Sequence, residues 1–160
     1  MKHIFFKYLL FCSIVCVTLL ACVKKASYPT IPVIEYKDFF PFVGDSADLQ
    51  AKFTDGDGDI GVIDEDSTRT FWVTYYYKDT ITNKYVGYYR ANEQDTLRTG
   101  YIVKTPDDSY KGKPISGEIN VRLQQFRHSK KIKHVKYVFY LVDKAGNKSN
   151  VVTTPEFNFQ

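Results

Sequence analysis

Beyond residue 22 the chain contains no cysteine; its only three are Cys12, Cys16 and Cys22. An intramolecular disulfide and a Cys-ligated metal site are thereby excluded from the body of the protein, which must stand on packing alone. Histidine is nearly as scarce. His128 and His134 have no His-x-His spacing and no acid in a ligand position, so they make no transition-metal set. There is no Gly-x-Ser-x-Gly elbow and no His beside an acid in a catalytic pattern, and the chain is expected not to be an enzyme. A long apolar run is missing too. Tyr8 to Val23 is uncharged, but a helix of its 16 residues reaches only about 24 Å, against roughly 30 Å for a bilayer core. Nor does one sign of charge dominate. With 22 Lys+Arg against 18 Asp+Glu, the net charge of +4 argues against a nucleic-acid partner.

What the chain does have is aromatic residues, 13 Tyr and 12 Phe, which suit the half-buried pleated surface of strands. It also has an informative N-terminus. Lys2, His3 and Lys7 precede the uncharged run, which ends in Leu19-Leu20-Ala21-Cys22. These four residues match the lipobox of bacterial lipoprotein signal peptides. The match implies cleavage before Cys22 and a thioether-linked diacylglycerol there, with fatty chains such as palmitate as the membrane anchor. Residues 1–21 are then a signal peptide, residues 22–34 a lipidated tether punctuated by Pro29 and Pro32, and residues 35–160 one domain. An uncleaved anchor, or ordinary signal-peptidase cleavage near Ala21, is the alternative.

The domain reads as β by period. Leu49, Ala51 and Phe53 alternate with polar residues over 48–54, and Ile119, Val121 and Leu123 do so over 118–124. Residues 70–78 and 84–90 form aromatic strands around a polar five-residue loop, residues 97–104 a weaker strand, and residues 134–142 a strand apolar on both sides. Residues 150–159 close the chain, with Pro155 marking an edge or bulge. About seven strands predict an all-β antiparallel sandwich, with a barrel as the competing closure.

Directly after the first clean strand comes Thr54-Asp55-Gly56-Asp57-Gly58-Asp59-Ile60-Gly61, followed by Asp64-Glu65-Asp66. Six acids thus fall within twelve residues. The glycines let the backbone turn tightly enough for the carboxylates to converge, which is unfavourable without a cation. Oxygen donors alone point to a hard ion, Ca²⁺ before Mg²⁺. A solvated turn is the plainer explanation, since Asp and Gly are ordinary turn residues. The loop partly resembles the calcium loops of EF-hands and, more loosely, thrombospondin type 3 repeats. That resemblance implies Asp55, Asp57 and Asp59 as the first ligands, a carbonyl from Gly61 and a carboxylate from Asp66. It departs from the EF-hand at Ile60, where that family has Gly, and in its strand flanks.

Asp143-Lys144-Ala145-Gly146-Asn147-Lys148-Ser149 separates the last two strands and resembles the closing hairpin of bacterial Ig-like domains. Together with the lipobox, the Asp/Gly loop and Ile115-Ser116-Gly117-Glu118-Ile119, it makes the chain similar to small Ig-like lipoproteins of Bacteroidetes. The resemblance implies an Ig-like β-sandwich at the outer membrane, serving as a binding or scaffolding module with a protein or glycan partner. Surface lipoproteins of that phylum carry acids just after the lipidated cysteine. Val23-Lys24-Lys25-Ala26-Ser27 has none, which implies the periplasmic face rather than the cell surface.

Two further groups stand out. Trp72, Tyr76 and Tyr88 would form an outward aromatic strip suited to stacking sugar rings, as in a glycan-binding lipoprotein of a polysaccharide-uptake system; cross-strand aromatic pairing, or cover from a loop, is the preferred explanation. Arg127, His128, Lys130, Lys131, Lys133, His134 and Lys136 make a basic stretch that reads as a solvated loop.

Overall fold

The computed structural model describes residues 27–62, 68–90, 95–105 and 108–159; the leader, Cys22 and the acids at 64–66 lie outside them. Among the described residues the chain is all-β, apart from one short 3-10 turn at Asp108–Tyr110. The strands are β1 (Val33–Pro41), β2 (Ala47–Asp55), β3 (Phe71–Lys78), β4 (Tyr85–Gly87), β5 (Tyr89–Arg90), β6 (Asp95–Thr96), β7 (Arg98–Tyr101), β8 (Ile115–Leu123), β9 (His134–Leu141), β10 (Val152–Thr153) and β11 (Phe157–Asn158). One sheet has the order β1-β2-β8. The other has β10-β9-β3-β4, with β7 also on β3 and β11 on β9; β5 and β6 pair by themselves. Every strand pairing is antiparallel. The partition matches the expected antiparallel β-sandwich.

The strand count exceeds seven for local reasons. The strand predicted over 84–90 divides into β4 and β5, and β4 and β7 share one edge of β3 in succession. The final strand divides around Pro155 into β10 and β11. β1 was not predicted at all, and the boundary between tether and domain at 34/35 falls inside it. Its alternation is broken by a register shift between Tyr36 and Asp38. That extra residue turns Ile34, Tyr36 and Phe39 to the inner face, opposite Phe53, Ala51 and Leu49 of β2, and sends Phe40 outward.

The inner faces supply the core. Ala47, Leu49, Ala51, Ile119, Val121 and Leu123 meet Phe71, Val73, Tyr75, Val135, Tyr137, Phe139 and Leu141. Phe39 bridges the layers, stacking on Phe157 at 4.2 Å and on Tyr137 at 5.5 Å. The buried Tyr137 hydroxyl donates to the Phe126 carbonyl, pinning the loop between β8 and β9. Asn150 ties the two sheets at their margin. Its Oδ1 accepts from the Ile34 amide at 2.8 Å, and its Nδ2 donates to the Ile34 carbonyl at 2.9 Å.

The bulge makes a sharp expectation. Phe39 is 8% exposed and its neighbour Phe40 46%. Phe39→Ala should lower unfolding free energy by about 3–5 kcal/mol. Phe40→Ala should stay within about 0.5 kcal/mol of wild type. Urea denaturation midpoints measure both, and similar losses at the two positions would contradict the register.

Candidate metal centre

Pleat geometry puts carboxylates inside the sandwich at one end. On β2 the inward residues are Ala47, Leu49, Ala51 and Phe53, and the next in that series is Asp55. On β9 they are Val135, Tyr137, Phe139 and Leu141, and the next step reaches Asp143. Asp55 is fully buried and Asp143 4% exposed. The two strand ends lie at the same pole, where the Asp55 and Asp143 carboxylates come together.

The glycines then fold the loop back. A Cβ on Gly56 would lie 2.4 Å from the Tyr28 carbonyl oxygen, and one on Gly58 2.1 Å from that of Tyr110. Gly58 also sits at φ 66°, where glycine has no steric penalty. This tight packing delivers Asp59 onto the β9–β10 turn. Its main-chain oxygen accepts from the Lys144 amide at 3.2 Å, and its Oδ2 accepts from the Ala145 amide at 3.1 Å. Asp143 closes that turn, accepting from the Asn147 amide at 2.7 Å and from Asn147 Nδ2 at 2.9 Å.

The result is a cluster in which one carboxylate oxygen from each of Asp55, Asp59 and Asp143 lies within 4.8 Å of the others. Asp55 Oδ2 accepts from the Asp59 amide at 3.1 Å. The opposite oxygens, Oδ1 of Asp55, Asp57 and Asp59, are buried without a hydrogen-bond partner. A buried anionic oxygen left unpaired is expensive, and it is what a cation requires. Burial first, then the Asp57 charge, pushes the Asp55 carboxyl up to about 6. Burial, then Asp143 and Asp57, raises Asp59 as well. These three carboxylates can hold a metal ion, and oxygen donors without nitrogen or sulfur suit a hard one.

The sequence pattern found only part of this set. Asp55 and Asp59 are in the cluster, and Asp57 adjoins it. Asp66 lies outside the described residues. Gly61 has another task, holding φ 81° where a Cβ would meet Thr105 N and Val103 O at 2.8 Å. Asp143 of the far hairpin, which the EF-hand-like set drawn from a single twelve-residue loop did not include, joins the cluster. Carrying the alternation to the last residue of β2 and one step past the end of β9 would have found it.

The aromatic strip is corrected. Trp72 and Tyr76 lie on the outer face of β3, paired with Tyr140 and Lys136 of β9. Tyr88 does not join them. Gly87 stands opposite Tyr76, so Tyr88 falls opposite Tyr75 and packs inward, its ring stacked on His128 at 4.6 Å. The Arg98 guanidinium lies 5.4 Å above the Trp72 ring, and Lys148 Nζ lies 3.9 Å above Tyr140. At the opposite pole, Lys131, Lys133 and His134 line a hollow of about 310 Å³ with Lys78 and Asp79. Comparisons with protein-family models, with curated proteins and with solved structures find no match.

The raised Asp55 carboxyl sets the acid response of the metal-free protein. Its folded value, about 6, exceeds the ordinary 3.8, so the fold binds the proton more tightly than the unfolded chain does. That stabilisation is complete below the ordinary value and is lost as pH rises through about 6. In chelator, melting temperature should fall from pH 5 to pH 7. Asp55→Asn should flatten the fall and raise the melting temperature at pH 7; thermal melts across this range check both.

Proposed function

We propose that the chain is a lipid-anchored envelope lipoprotein whose sandwich works as a non-enzymatic binding or scaffolding module, with Ca²⁺ as a structural clasp at its acidic pole. The observation that carries the clasp is the fully buried Asp55, with an unpartnered Oδ1 beside Asp59 and Asp143. Ca²⁺ accepts six to eight oxygens in irregular arrangements, whereas Mg²⁺ demands a small octahedron. A loop supplying carboxylates from two distant chain segments suits the larger ion. Bound there, it would offset the repulsion among the acids and tie the β2 loop to the β9–β10 turn, fastening the two sheets together at that pole.

The anchor is supported by Leu19-Leu20-Ala21-Cys22 behind a basic leader, and a periplasmic outer-membrane location by the lack of acids at 23–27. A scaffolding role is supported by where the molecule invests its organised polar groups, in a cluster that stiffens rather than one that presents a nucleophile. The glycan-binding alternative draws on Trp72 and Tyr76 only. Arg98 over Trp72 and the displaced Tyr88 leave it the weaker reading.

Two measurements test the proposal. Ca²⁺ should raise the melting temperature of chelator-treated protein, by an amount equal to about 2.7 kcal/mol at a hundredfold excess over Kd. Asp143→Asn should abolish that rise while leaving the chelator melt folded and cooperative; an unchanged melt with Ca²⁺ removes the clasp. Independently, Cys22→Ser should move the protein from the membrane pellet to the soluble fraction, and retention in the pellet would remove the lipid anchor.

A further inference from the structure

β8 is nine residues long and, among the described residues, pairs on one side only, with β2. Among the described residues no backbone hydrogen bond joins it to anything but β2. In an antiparallel ladder alternate residues turn their amides and carbonyls away from the partner, so about half of the nine leave these groups free along the outer edge, a template for another strand. The opposite margin of the same sheet is treated differently, since the Asn150 side chain occupies the Ile34 backbone groups on β1.

The charges on the outer face of β8 specify what would fit. Ser116, Glu118, Asn120 and Arg122 point outward and are exposed, while Ile119, Val121 and Leu123 point into the core. Across the sheet, Glu35 stands opposite Lys52, and Lys52 opposite Glu118; farther along, Asp48 stands opposite Arg122. Lys37 approaches Glu118 at 2.5 Å, and Arg122 binds Asp48. Even so, Glu118 keeps 53% and Arg122 51% of its side chain exposed, so each can take a second partner.

We infer that the β8 edge is a self-association surface, at which two copies pair antiparallel about a two-fold axis through Asn120 and join their three-stranded sheets into one of six strands. This register sets Glu118 against Arg122 of the second copy, twice. The outer-face row then runs Glu35, Lys52, Glu118, Arg122 of the second copy, Asp48 of the second copy, alternating in sign at every step. Other registers do worse. A shift by an odd number of residues sets core positions against solvent positions. An axis through residue 118 opposes Glu118 to itself, and one through residue 122 opposes Arg122 to itself. Axes through 119 or 121 pair each charge with a neutral side chain. Like charges directly opposite destabilise a pair and opposite charges support it. The partner is accordingly a second copy of this chain, chosen by charge complementarity along the edge.

The axis gives a direct experiment. Residues at position 120 of the two copies lie opposite each other, at about 4.5–5.5 Å between Cα atoms, within disulfide range. Two copies of residue 118 are displaced along the strands by roughly 14 Å and are out of range. Full-length chain carrying Asn120→Cys, oxidised in membranes, should give a covalent species of twice the chain mass on a non-reducing gel, above the background of the native cysteines. Glu118→Cys alone and Arg122→Cys alone should give about tenfold less, whereas the two co-expressed should restore the dimer, since only opposed positions meet disulfide geometry. Absence of the position-120 dimer in protein that melts like wild type overturns the inference. So does equal cross-linking at all three positions, which would signal random collision, or an adduct of another mass, which would show a foreign strand on the edge.

Discussion

Two sheets with no disulfide between them are held face to face by apolar side chains, and the rest of the structure depends on that contact. Phe71, Phe139, Tyr137 and Leu141 on one side meet Leu49, Ile119 and Val121 on the other, with Phe39 stacked between layers. Burial of this kind is non-directional. Direction comes from the polar pins at its margins, the Tyr137 hydroxyl on Phe126 and the Asn150 amide on Ile34. With the layers fixed this way, the pleat decides which residues face inward, and at one end of the sandwich it selects carboxylates.

That selection explains why the acidic pole is the least comfortable part of the fold. Asp55 and Asp143 occupy positions in the inward series where strands ordinarily place apolar groups, and Asp59 is carried to them by a glycine-rich turn. Backbone amides satisfy some of the oxygens. Others are buried without a partner beside a cluster whose carboxylates repel one another more strongly than they would in bulk solvent. A group of this kind stores unfavourable energy until protons or a cation relieve it, and both routes act through the same atoms.

Much of the scaffold was legible in the chain because strand alternation is a strong local signal. β2, β3, β8 and β9 lie within a residue or so of the predicted segments at most of their ends, and the sandwich follows from their number and spacing. β1 escaped because a bulge at Tyr36–Asp38 breaks the period on which the prediction relies. Tyr88 was assigned to the wrong face because cross-strand register is a tertiary fact, set here by Gly87 opposite Tyr76. The acidic centre was half visible. Local spacing revealed Asp55, Asp57 and Asp59, but Asp143 lies on a strand far along the chain and joins them only because both strands end at one pole. No motif confined to a single loop contains that information.

The point where the chain enters the domain also orients it. Tyr28 and Pro29 press against Gly56, and Val33 pairs with Thr54, so the N-terminal segment arrives at the pole that holds the carboxylates. With attachment on the N-terminal side of Tyr28, as proposed, that pole is proximal and shielded by the surface it stands on. The turns at 43–46, 79–84 and 124–133 become the distal tip. Lys84, Lys130, Lys131 and Lys133 are exposed there, so a molecule arriving from the far compartment would encounter ammonium groups well before it reached any carboxylate of the clasp.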